Sequence, residues 1–233
     1  MIQKFATKLV RSIPLTADTY QLDFAWASEP VPYEAGHFFL LEVEDGGDKV
    51  TRAYSISSAP SEKEFFSLCL KFLPGGRASE YLKNMEIGQE VHFQGPFGHF
   101  KLTDSKKDIL MVATGTGIAP FIGMVPTLLE QGFKKKIALY FGVRFEEDLF
   151  YLAQFKTWEK KNSKFKSFVT VSRPTEKWKG LSGRVTEHLE PLDIKDCEVY
   201  ICGNGDMVKT VKEMMEAKGA QKPDLHFELF TAI

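Results

Sequence analysis

Before Thr103, apolar and polar side chains alternate along several short stretches, which is the pattern of strands with one buried face. The clearest examples are Tyr20–Trp26 and Phe66–Phe72. Further strands of this kind are predicted at His37–Glu44, Arg52–Ser58 and Glu90–Gln94. Turns rich in Gly, Pro and Asp separate the strands, and a short helix is predicted at Ala78–Met85. Many short strands with such turns favour an antiparallel β-barrel or sandwich.

The pattern changes at Asp108, where near-continuous apolar runs such as Ile109–Ala113 and Ile137–Phe141 begin. Such runs are typical of parallel strands that helices cover on both faces. The predicted strands start near residues 108, 136, 165, 197 and 226, and each spacing of about 30 residues matches one βαβ unit. We therefore predict an antiparallel β-barrel domain over residues 1–103 and an α/β domain with a five-stranded parallel sheet over residues 104–233.

Charge and cysteine content narrow the classes of function. The chain has 30 Lys and Arg against 31 Asp and Glu, a net charge of −1, so no overall attraction to nucleic acid or to an anionic membrane is expected. The three cysteines, Cys69, Cys197 and Cys202, form no CxxC pair. This argues against a four-cysteine iron–sulfur or zinc site and against a disulfide framework. We expect no bound metal and a reducing, cytoplasmic location.

Residues 109–129 carry no charge, which raises the question of a membrane span. Gly115, Gly117, Pro120 and Pro126 interrupt the stretch, so we interpret it as a strand, a loop and a helix. The N-terminal residues lack the apolar run of a signal peptide. We expect neither a membrane span nor export.

Two glycine turns follow strands of the predicted parallel sheet. Thr114–Pro120 reads TGTGIAP, and bare backbone N–H groups in such a turn can approach a phosphate. An ordinary strand-to-helix turn explains this motif alone equally well. The second turn, in Tyr200–Met207, places Cys202 at the carboxyl end of a strand, where open parallel sheets bind ligands. A buried thiol that only fills space is the simpler interpretation of Cys202 taken by itself.

Two further motifs lie in the predicted barrel. In Arg52–Ser55, the period of a strand puts Arg52 and Tyr54 on one face, where an arginine suits phosphate oxygens and a ring suits stacking. A surface arginine beside a barrel aromatic is the alternative. In Gly75–Ser79, free N–H groups and a serine hydroxyl at a helix start would suit a second anion. An ordinary turn with Ser79 as the helix cap is the alternative there.

The motifs RxYS, GGxxS, GTGIAP and CGNGxMV occur in the order, and in the domains, of the ferredoxin–NADP⁺ reductase family of flavoenzymes. The chain resembles this family over nearly its whole length. The resemblance implies an FAD-binding antiparallel β-barrel followed by a five-stranded, Rossmann-like NAD(P)-binding sheet. It points to a bacterial-type member that stands alone without an iron–sulfur domain.

For the FAD, the resemblance implies that Arg52 contacts the pyrophosphate and that Tyr54 stacks on the isoalloxazine. Ser55 would hydrogen-bond near flavin N5. Gly76 and Ser79 would complete the grip on the diphosphate.

For the nicotinamide dinucleotide, the resemblance implies a pyrophosphate site at Gly115, Thr116 and Gly117. Cys202 would lie beside the nicotinamide at the hydride-transfer position, with Gly203 next to it in the cofactor site.

The C-terminal Glu228-Leu229-Phe230 resembles the family's Glu-x-aromatic ending. In that ending the aromatic covers the other face of the flavin, and the glutamate lies near the reacting atoms. Two features resemble bacterial rather than plant-type members: Phe230 stands in place of a tyrosine, and Thr231–Ile233 extend beyond it.

The preference between the two dinucleotides depends on the end of the third parallel strand. Ser172 and Arg173 lie where NADP-specific members keep a serine and an arginine for the 2′-phosphate, and Lys209 lies where they carry another cation. Arg144 and Asp148 match a further pattern of the family; we interpret this pair as mainly structural, although Arg144 is also within reach of the adenosine phosphate. The resemblance therefore favours NADPH. NADH is the alternative, in which Arg173 only caps the strand before Pro174.

The resulting hypothesis is an FAD-dependent oxidoreductase that transfers a hydride between NADPH and flavin N5 and passes electrons singly to a separate ferredoxin or flavodoxin. Lysines at 134–136, 156, 160, 161, 164 and 166 form either a docking surface for an acidic partner or a solvated face. The alternative functions are an NAD(P)H:flavin reductase and the reductase component of an oxygenase. A non-catalytic redox-sensing module is a third hypothesis, from another class.

Overall fold

The computed structural model describes residues 2–45, 48–104 and 106–230, without the side chains of residues 44, 45 and 48. By its internal contacts the chain forms two compact units. The first contains Met1–Leu102 and Ala119–Leu128, and the second contains Thr103–Ile118 and Leu129–Ile233. Each unit is built around one sheet, antiparallel in the first and parallel in the second.

The first unit contains a six-stranded antiparallel sheet in the order β4-β3-β6-β1-β2-β5. Its strands are β1 (Gln3–Pro14), β2 (Thr19–Trp26), β3 (Phe38–Asp45), β4 (Asp48–Ser55), β5 (Phe65–Lys71) and β6 (Glu90–Phe97), and its first helix is α1 (Arg77–Lys83). The two edge strands are joined where Ile56, just after β4, bridges to Leu68 of β5. The sheet therefore curls into a partly closed barrel, and the predicted antiparallel architecture is confirmed.

Strand β1 was not predicted from the sequence, although it is the longest strand. Only its first half alternates, with Phe5, Thr7 and Leu9 buried. The pairing with β2 then shifts register between Leu9 and Arg11, and the residues after the shift are exposed. Because the shift changes which residues face the core, the period-two pattern does not continue along the strand.

The core of the first unit explains the high phenylalanine content. Phe5, Phe24, Phe39, Phe66 and Phe93 are all buried and come from five different strands. Phe39 and Phe66 meet edge to face with ring centroids 4.9 Å apart, and Phe66 and Phe93 meet in the same way at 5.2 Å. Edge-to-face contact is a favourable arrangement of aromatic rings. These five phenylalanines are therefore structural.

The second unit contains a parallel sheet in the order β10-β9-β8-β7-β11-β12. Its strands are β7 (Asp108–Thr114), β8 (Ile137–Val143), β9 (Phe165–Val171), β10 (Leu181–Ser182), β11 (Cys197–Asn204) and β12 (Leu225–Phe230). The helices of this half of the chain are α2 (Ala119–Glu130), α3 (Leu152–Lys161) and α4 (Gly205–Ala217). The five predicted strands are confirmed, and the two-residue β10 adds a short sixth strand at the edge.

The uncharged segment at 109–129 forms β7, a 3₁₀ turn (Gly115–Ile118) and most of α2, as predicted. Pro120 is the second residue of α2, which begins directly after the 3₁₀ turn. Among the described residues, the structure contains no helix with the length and apolar character needed to cross a membrane.

The strand order of the second unit creates a switch point between β7 and β11. From β7 the chain moves to β8 and β9 on one side, and it returns to β11 and β12 on the other. At such a point the loops after the two central strands diverge and leave a crevice at their carboxyl ends, which is the usual ligand site of open α/β sheets.

Candidate functional site

In the first unit, the candidate site begins on the edge strand β4. Arg52 and Tyr54 pair with Leu41 and Phe39 of β3, so all four side chains are on one face of the sheet. Tyr54 is half-buried against the aromatic core, and burial raises the pKa of its hydroxyl to about 12 although the positive charge of Arg52 acts against this. At neutral pH the ring is therefore an uncharged surface beside a guanidinium.

The Gly75–Ser79 motif lies close to the same strands, because α1 packs against β3 and β4. Gly76 occupies the N-cap position of α1 without a side-chain hydrogen bond. Ser79 is the third residue of the helix and is not its cap. Its hydroxyl oxygen instead accepts a hydrogen bond of 3.0 Å from the Leu73 N–H and so fastens the preceding turn.

These residues fit the diphosphate of an FAD. Within the described part of the chain, Arg52 forms no ion pair, and its one hydrogen bond runs from Nη1 to the carbonyl oxygen of Thr51 at 2.9 Å. A half-buried guanidinium without a carboxylate partner is suited to a ligand anion. Ser55 is buried at the end of β4, next to Ile56, which bridges to β5. The role of each residue toward FAD stays a prediction.

In the second unit, two glycines bring the ends of β7 and β11 together. A Cβ atom on Gly117 would lie 2.4 Å from Cα of Gly203 and 2.5 Å from the carbonyl oxygen of Cys202. Gly203 has φ +144°, and a Cβ atom there would lie 2.4 Å from Oγ1 of Thr114. Neither position has room for a side chain. The 3₁₀ turn from Gly115 to Ile118 therefore lies directly against the turn after β11, with Gly117 and Ile118 buried and Gly115 and Thr116 partly exposed.

Sequence reasoning missed the side chain of Thr114, which connects the two turns. Its Oγ1 accepts a hydrogen bond from the Asn204 N–H at 3.3 Å. Asn204 in turn caps α4, since its side-chain oxygen accepts from the Asp206 N–H at 3.0 Å. The only available signal was the position of Thr114, immediately before the first glycine of the motif.

The uncovered backbone of this crevice fits a dinucleotide pyrophosphate. A Cβ atom on Gly115 would meet nothing within 4 Å, so the turn is open on that side while Gly117 closes the other. Successive N–H groups in such a turn favour an anion. The structure brings Gly115, Thr116 and Gly117 together with Cys202 and Gly203. In the sequence these residues belong to two separate motifs.

Cys202 is completely buried near the end of β11. Burial, and to a smaller extent the negative charge of Glu228, raises the pKa of its thiol well above the usual value. The group is therefore a neutral thiol at physiological pH. Such a residue supplies volume and contact surface and no nucleophile, since the thiolate is the reactive form.

Strand β12 places the predicted C-terminal residues beside this turn. In the pairing with β11, Glu228 lies opposite Cys202 and Phe230 lies opposite Asn204. Both side chains are half-buried, whereas Phe227 and Leu229 between them are exposed. Thr231–Ile233 lie outside the described residues.

Two arginines lie next to each other at the carboxyl ends of β8 and β9. The Ser172 N–H donates to the carbonyl oxygen of Val143 at 3.0 Å, and the Arg173 N–H donates to that of Arg144 at 2.9 Å. Both arginines are exposed. Neither forms an ion pair with a described residue, although the Arg144 guanidinium lies over the Phe145 ring at 5.5 Å. Two arginines with neighbouring backbones and no described carboxylate partner are suited to a phosphate.

The two other residues named from the family pattern, Asp148 and Lys209, have different surroundings. Asp148 accepts a hydrogen bond from the Phe145 N–H at 3.0 Å, so it serves the loop after β8. Lys209 lies on the exposed face of α4, which follows β11, three strands from β9 in the sheet. Its contact with a cofactor stays a prediction. No group of His, Cys, Asp and Glu among the described residues has the arrangement of a metal site.

Comparison with known families matches both units. Residues 6–102 match the model of an oxidoreductase FAD-binding domain, and residues 111–213 match that of an oxidoreductase NAD-binding domain. Ferredoxin–NADP reductase B of Sorangium cellulosum is 32% identical, over 98% of both chains. The toluate 1,2-dioxygenase electron transfer component of Pseudomonas putida is 31% identical, over 94% of this chain and 65% of its own length. The chain thus spans about two thirds of that oxygenase component.

Solved structures agree on the fold. A cytochrome P450 reductase of Amycolatopsis superposes with a TM-score of 0.91 at 24% identity, covering 99% of this chain and 70% of that one. The ferredoxin–NADP⁺ reductase of Plasmodium falciparum, solved with 2′P-AMP, superposes with a TM-score of 0.84 at 23% identity, covering 97% and 96%.

The close approach of the two turns predicts that alanine lowers the stability of the protein at one glycine and not at a neighbouring one. Gly203→Ala is expected to lower the free energy of unfolding by about 2 kcal/mol or more, because its Cβ has no room and its φ is unfavourable. Gly205→Ala is the matched control: its Cβ would lie an ordinary 3.5 Å from Leu229, at the start of α4, so we expect no loss. Urea unfolding of both variants tests this, and equal stabilities would contradict the packing described.

The burial of the cysteines predicts slow thiol chemistry. Cys69 and Cys202 are buried, and burial together with the nearby Asp108 raises the pKa of Cys197 to about 12. A raised pKa leaves little thiolate below pH 9, so the native protein should react with a disulfide reagent only slowly, whereas the unfolded protein should titrate three thiols. One thiol that reacts within seconds in the native protein at pH 8 would show that this description is wrong.

Proposed function

Because the chain belongs to the ferredoxin–NADP reductase family of FAD- and NAD(P)-binding oxidoreductases, we propose that it uses NADPH as hydride donor and passes electrons to a separate carrier such as a ferredoxin or flavodoxin. The observation that carries the choice of NADPH is the unpaired arginine pair, Arg144 and Arg173. An arginine near the adenosine ribose accommodates a 2′-phosphate, whereas NAD-specific sites place a carboxylate there.

The cofactors supply the chemistry: bound FAD accepts a hydride equivalent from a nicotinamide and releases electrons singly. The protein supplies binding and orientation. Arg52 holds the charge of the FAD diphosphate, with Gly76 and Ser79 on its other side, and Tyr54 presents its ring. Ser55 orients the flavin edge by a hydrogen bond.

In the second unit, the residues proposed for the nicotinamide dinucleotide contribute backbone N–H groups and steric limits on the space available. Gly115, Thr116 and Gly117 bind the pyrophosphate with backbone N–H groups, and Gly203 keeps the turn after β11 low enough for close approach. Cys202 limits the space for the nicotinamide with an uncharged thiol. Glu228, which lies opposite Cys202 in the strand pairing, would be near the reacting atoms, and Phe230 would cover the flavin and yield to the nicotinamide.

The full-length match to a ferredoxin–NADP reductase supports a separate electron carrier. The second candidate is the reductase component of an oxygenase, because the toluate and anthranilate dioxygenase relatives are electron transfer components at 31% and 28% identity. An NAD(P)H:flavin reductase is the remaining enzymatic alternative.

The lysine-rich surface does not lie beside the crevice. The Ile137 N–H donates to the carbonyl oxygen of Lys164, and the Lys164 ammonium donates to that of Lys134, so these lysines meet at the amino ends of β8 and β9. A strand of seven residues separates this edge from the carboxyl edge by roughly 20 Å. We therefore do not assign the docking of the electron carrier to this surface.

Titration of the FAD-loaded protein tests the proposal. Under anaerobic conditions, the concentration of NADPH that bleaches the visible flavin bands should be lower than that of NADH by about tenfold or more. Arg173→Ala should remove most of that advantage and leave bleaching by NADH within about twofold of its original concentration dependence. Equal bleaching by both dinucleotides would overturn the preference and favour the oxygenase-reductase candidate. No bleaching by either would favour a non-catalytic module.

Ser55→Ala tests the proposed hydrogen bond to the flavin. We expect the rate of anaerobic flavin bleaching by NADPH to fall by about tenfold to a hundredfold, because a buried donor is lost, while the FAD content stays unchanged. Ser58→Ala is a nearby control, since Ser58 Oγ is engaged with Tyr33 and with the Ser67 N–H. An unaltered bleaching rate in Ser55→Ala would remove Ser55 from the mechanism.

A further inference from the structure

A carboxylate lies next to the arginine pair but is engaged elsewhere. Glu146 follows Arg144 by two residues, at the start of a 3₁₀ turn after β8. Its Oε1 accepts two hydrogen bonds from Thr175, in the loop after β9: one from the Thr175 N–H at 2.9 Å and one from the Thr175 hydroxyl at 2.6 Å. The two loops that carry the arginines are thus joined by a side-chain clamp as well as by backbone.

The alternative partners of this carboxylate are the arginines themselves. A glutamate two residues from one guanidinium, on a loop that is hydrogen-bonded to the other, is within the same short surface segment as both. An exposed glutamate that paired with Arg144 or Arg173 would cancel the charge offered to a phosphate. The two hydrogen bonds from Thr175 lower the pKa of Glu146, so the clamp holds the carboxylate in its charged form.

We propose that Thr175 is a specificity-determining residue: by holding the Glu146 carboxylate, it keeps the Arg144–Arg173 pair free for the 2′-phosphate of NADPH. This inference rests on the proposed use of NADPH. Thr175 touches neither substrate nor reacting atoms and acts through Glu146, as a positioning residue. A carboxylate released from the clamp would also supply the acceptor that a ribose 2′-hydroxyl needs, so loss of Thr175 shifts the site toward NADH.

The test measures binding without turnover. Calorimetry of the FAD-loaded protein with adenosine 2′,5′-bisphosphate and with AMP compares ligands with and without the 2′-phosphate. Thr175→Val keeps the shape of the side chain and removes the hydroxyl, which is one of the two donors to Glu146. We expect it to weaken binding of the bisphosphate by about tenfold, the size of one charged hydrogen bond, and to change AMP binding by less than about twofold.

A double variant separates a freed carboxylate from a disturbed loop. In Thr175→Val with Glu146→Gln the carboxylate that the clamp would release is absent, so binding of the bisphosphate should return to within about twofold of the original protein. Glu147→Gln is the matched control. The substitution removes one charge from the same turn, and Glu147 forms no hydrogen bond with a described residue. It should leave the binding of both ligands unchanged.

The outcomes distinguish this inference from the proposed function. If the unaltered protein binds AMP as tightly as the bisphosphate, the use of NADPH is wrong and the role of Thr175 is wrong with it. If the unaltered protein prefers the bisphosphate but Thr175→Val does not lose that preference, only the role of Thr175 is overturned. A double variant that binds the bisphosphate as poorly as Thr175→Val also overturns it, because the loss would then come from loop structure and not from the carboxylate.

Discussion

The contact between Gly117 and Gly203 is the constraint on which the nucleotide-binding half of the molecule depends. Two turns can lie this close only if both lack side chains, and their closeness leaves backbone N–H groups as the lining of the crevice. The same contact places Cys202, one residue before Gly203, beside the end of β7. The relative position of the two turns is therefore determined mainly by close packing of their glycines. Hydrogen bonds, such as the one from the Asn204 N–H to Thr114, add to it.

Charge is distributed along the carboxyl edge of the sheet in a consistent way. Near the predicted nicotinamide position lie the uncharged thiol of Cys202 and, opposite it, the Glu228 carboxylate, whose negative charge helps to raise the pKa of that thiol. At the predicted adenosine end, two arginines form no ion pair with a described residue, and the nearby Glu146 carboxylate is held by Thr175. The negative charge of a dinucleotide lies on its phosphates, and its oxidised nicotinamide ring is cationic. Cations at the adenosine end and a carboxylate at the nicotinamide end therefore suit the proposed orientation.

The sequence predicts those features of the fold that depend on residues close together in the chain, and it misses features that depend on contacts formed only in the folded protein. The strands of the parallel sheet were located within one residue of their starts at 108, 137, 165, 197 and 225, because strands buried on both faces are continuous apolar runs. Strand β1 was missed because a register shift interrupts its alternation. The failure of Ser79 as a helix cap has a similar cause, since its partner, the Leu73 N–H, becomes available only once the turn has formed.

Contacts between residues far apart in the chain were beyond sequence reasoning altogether. Glu146 and Thr175 look like unremarkable polar loop residues, and no motif links them, because their pairing exists only after β8 and β9 lie side by side. The glycine motif itself shows the same limit: Gly115–Ile118 belongs to the second unit, while Ala119 and Pro120, which continue the motif, belong to the first. There Phe121 packs against Phe100, at a ring distance of 5.9 Å. One continuous motif therefore contributes to two cores, so the residues proposed to bind a phosphate and those that anchor the following helix are under separate physical constraints.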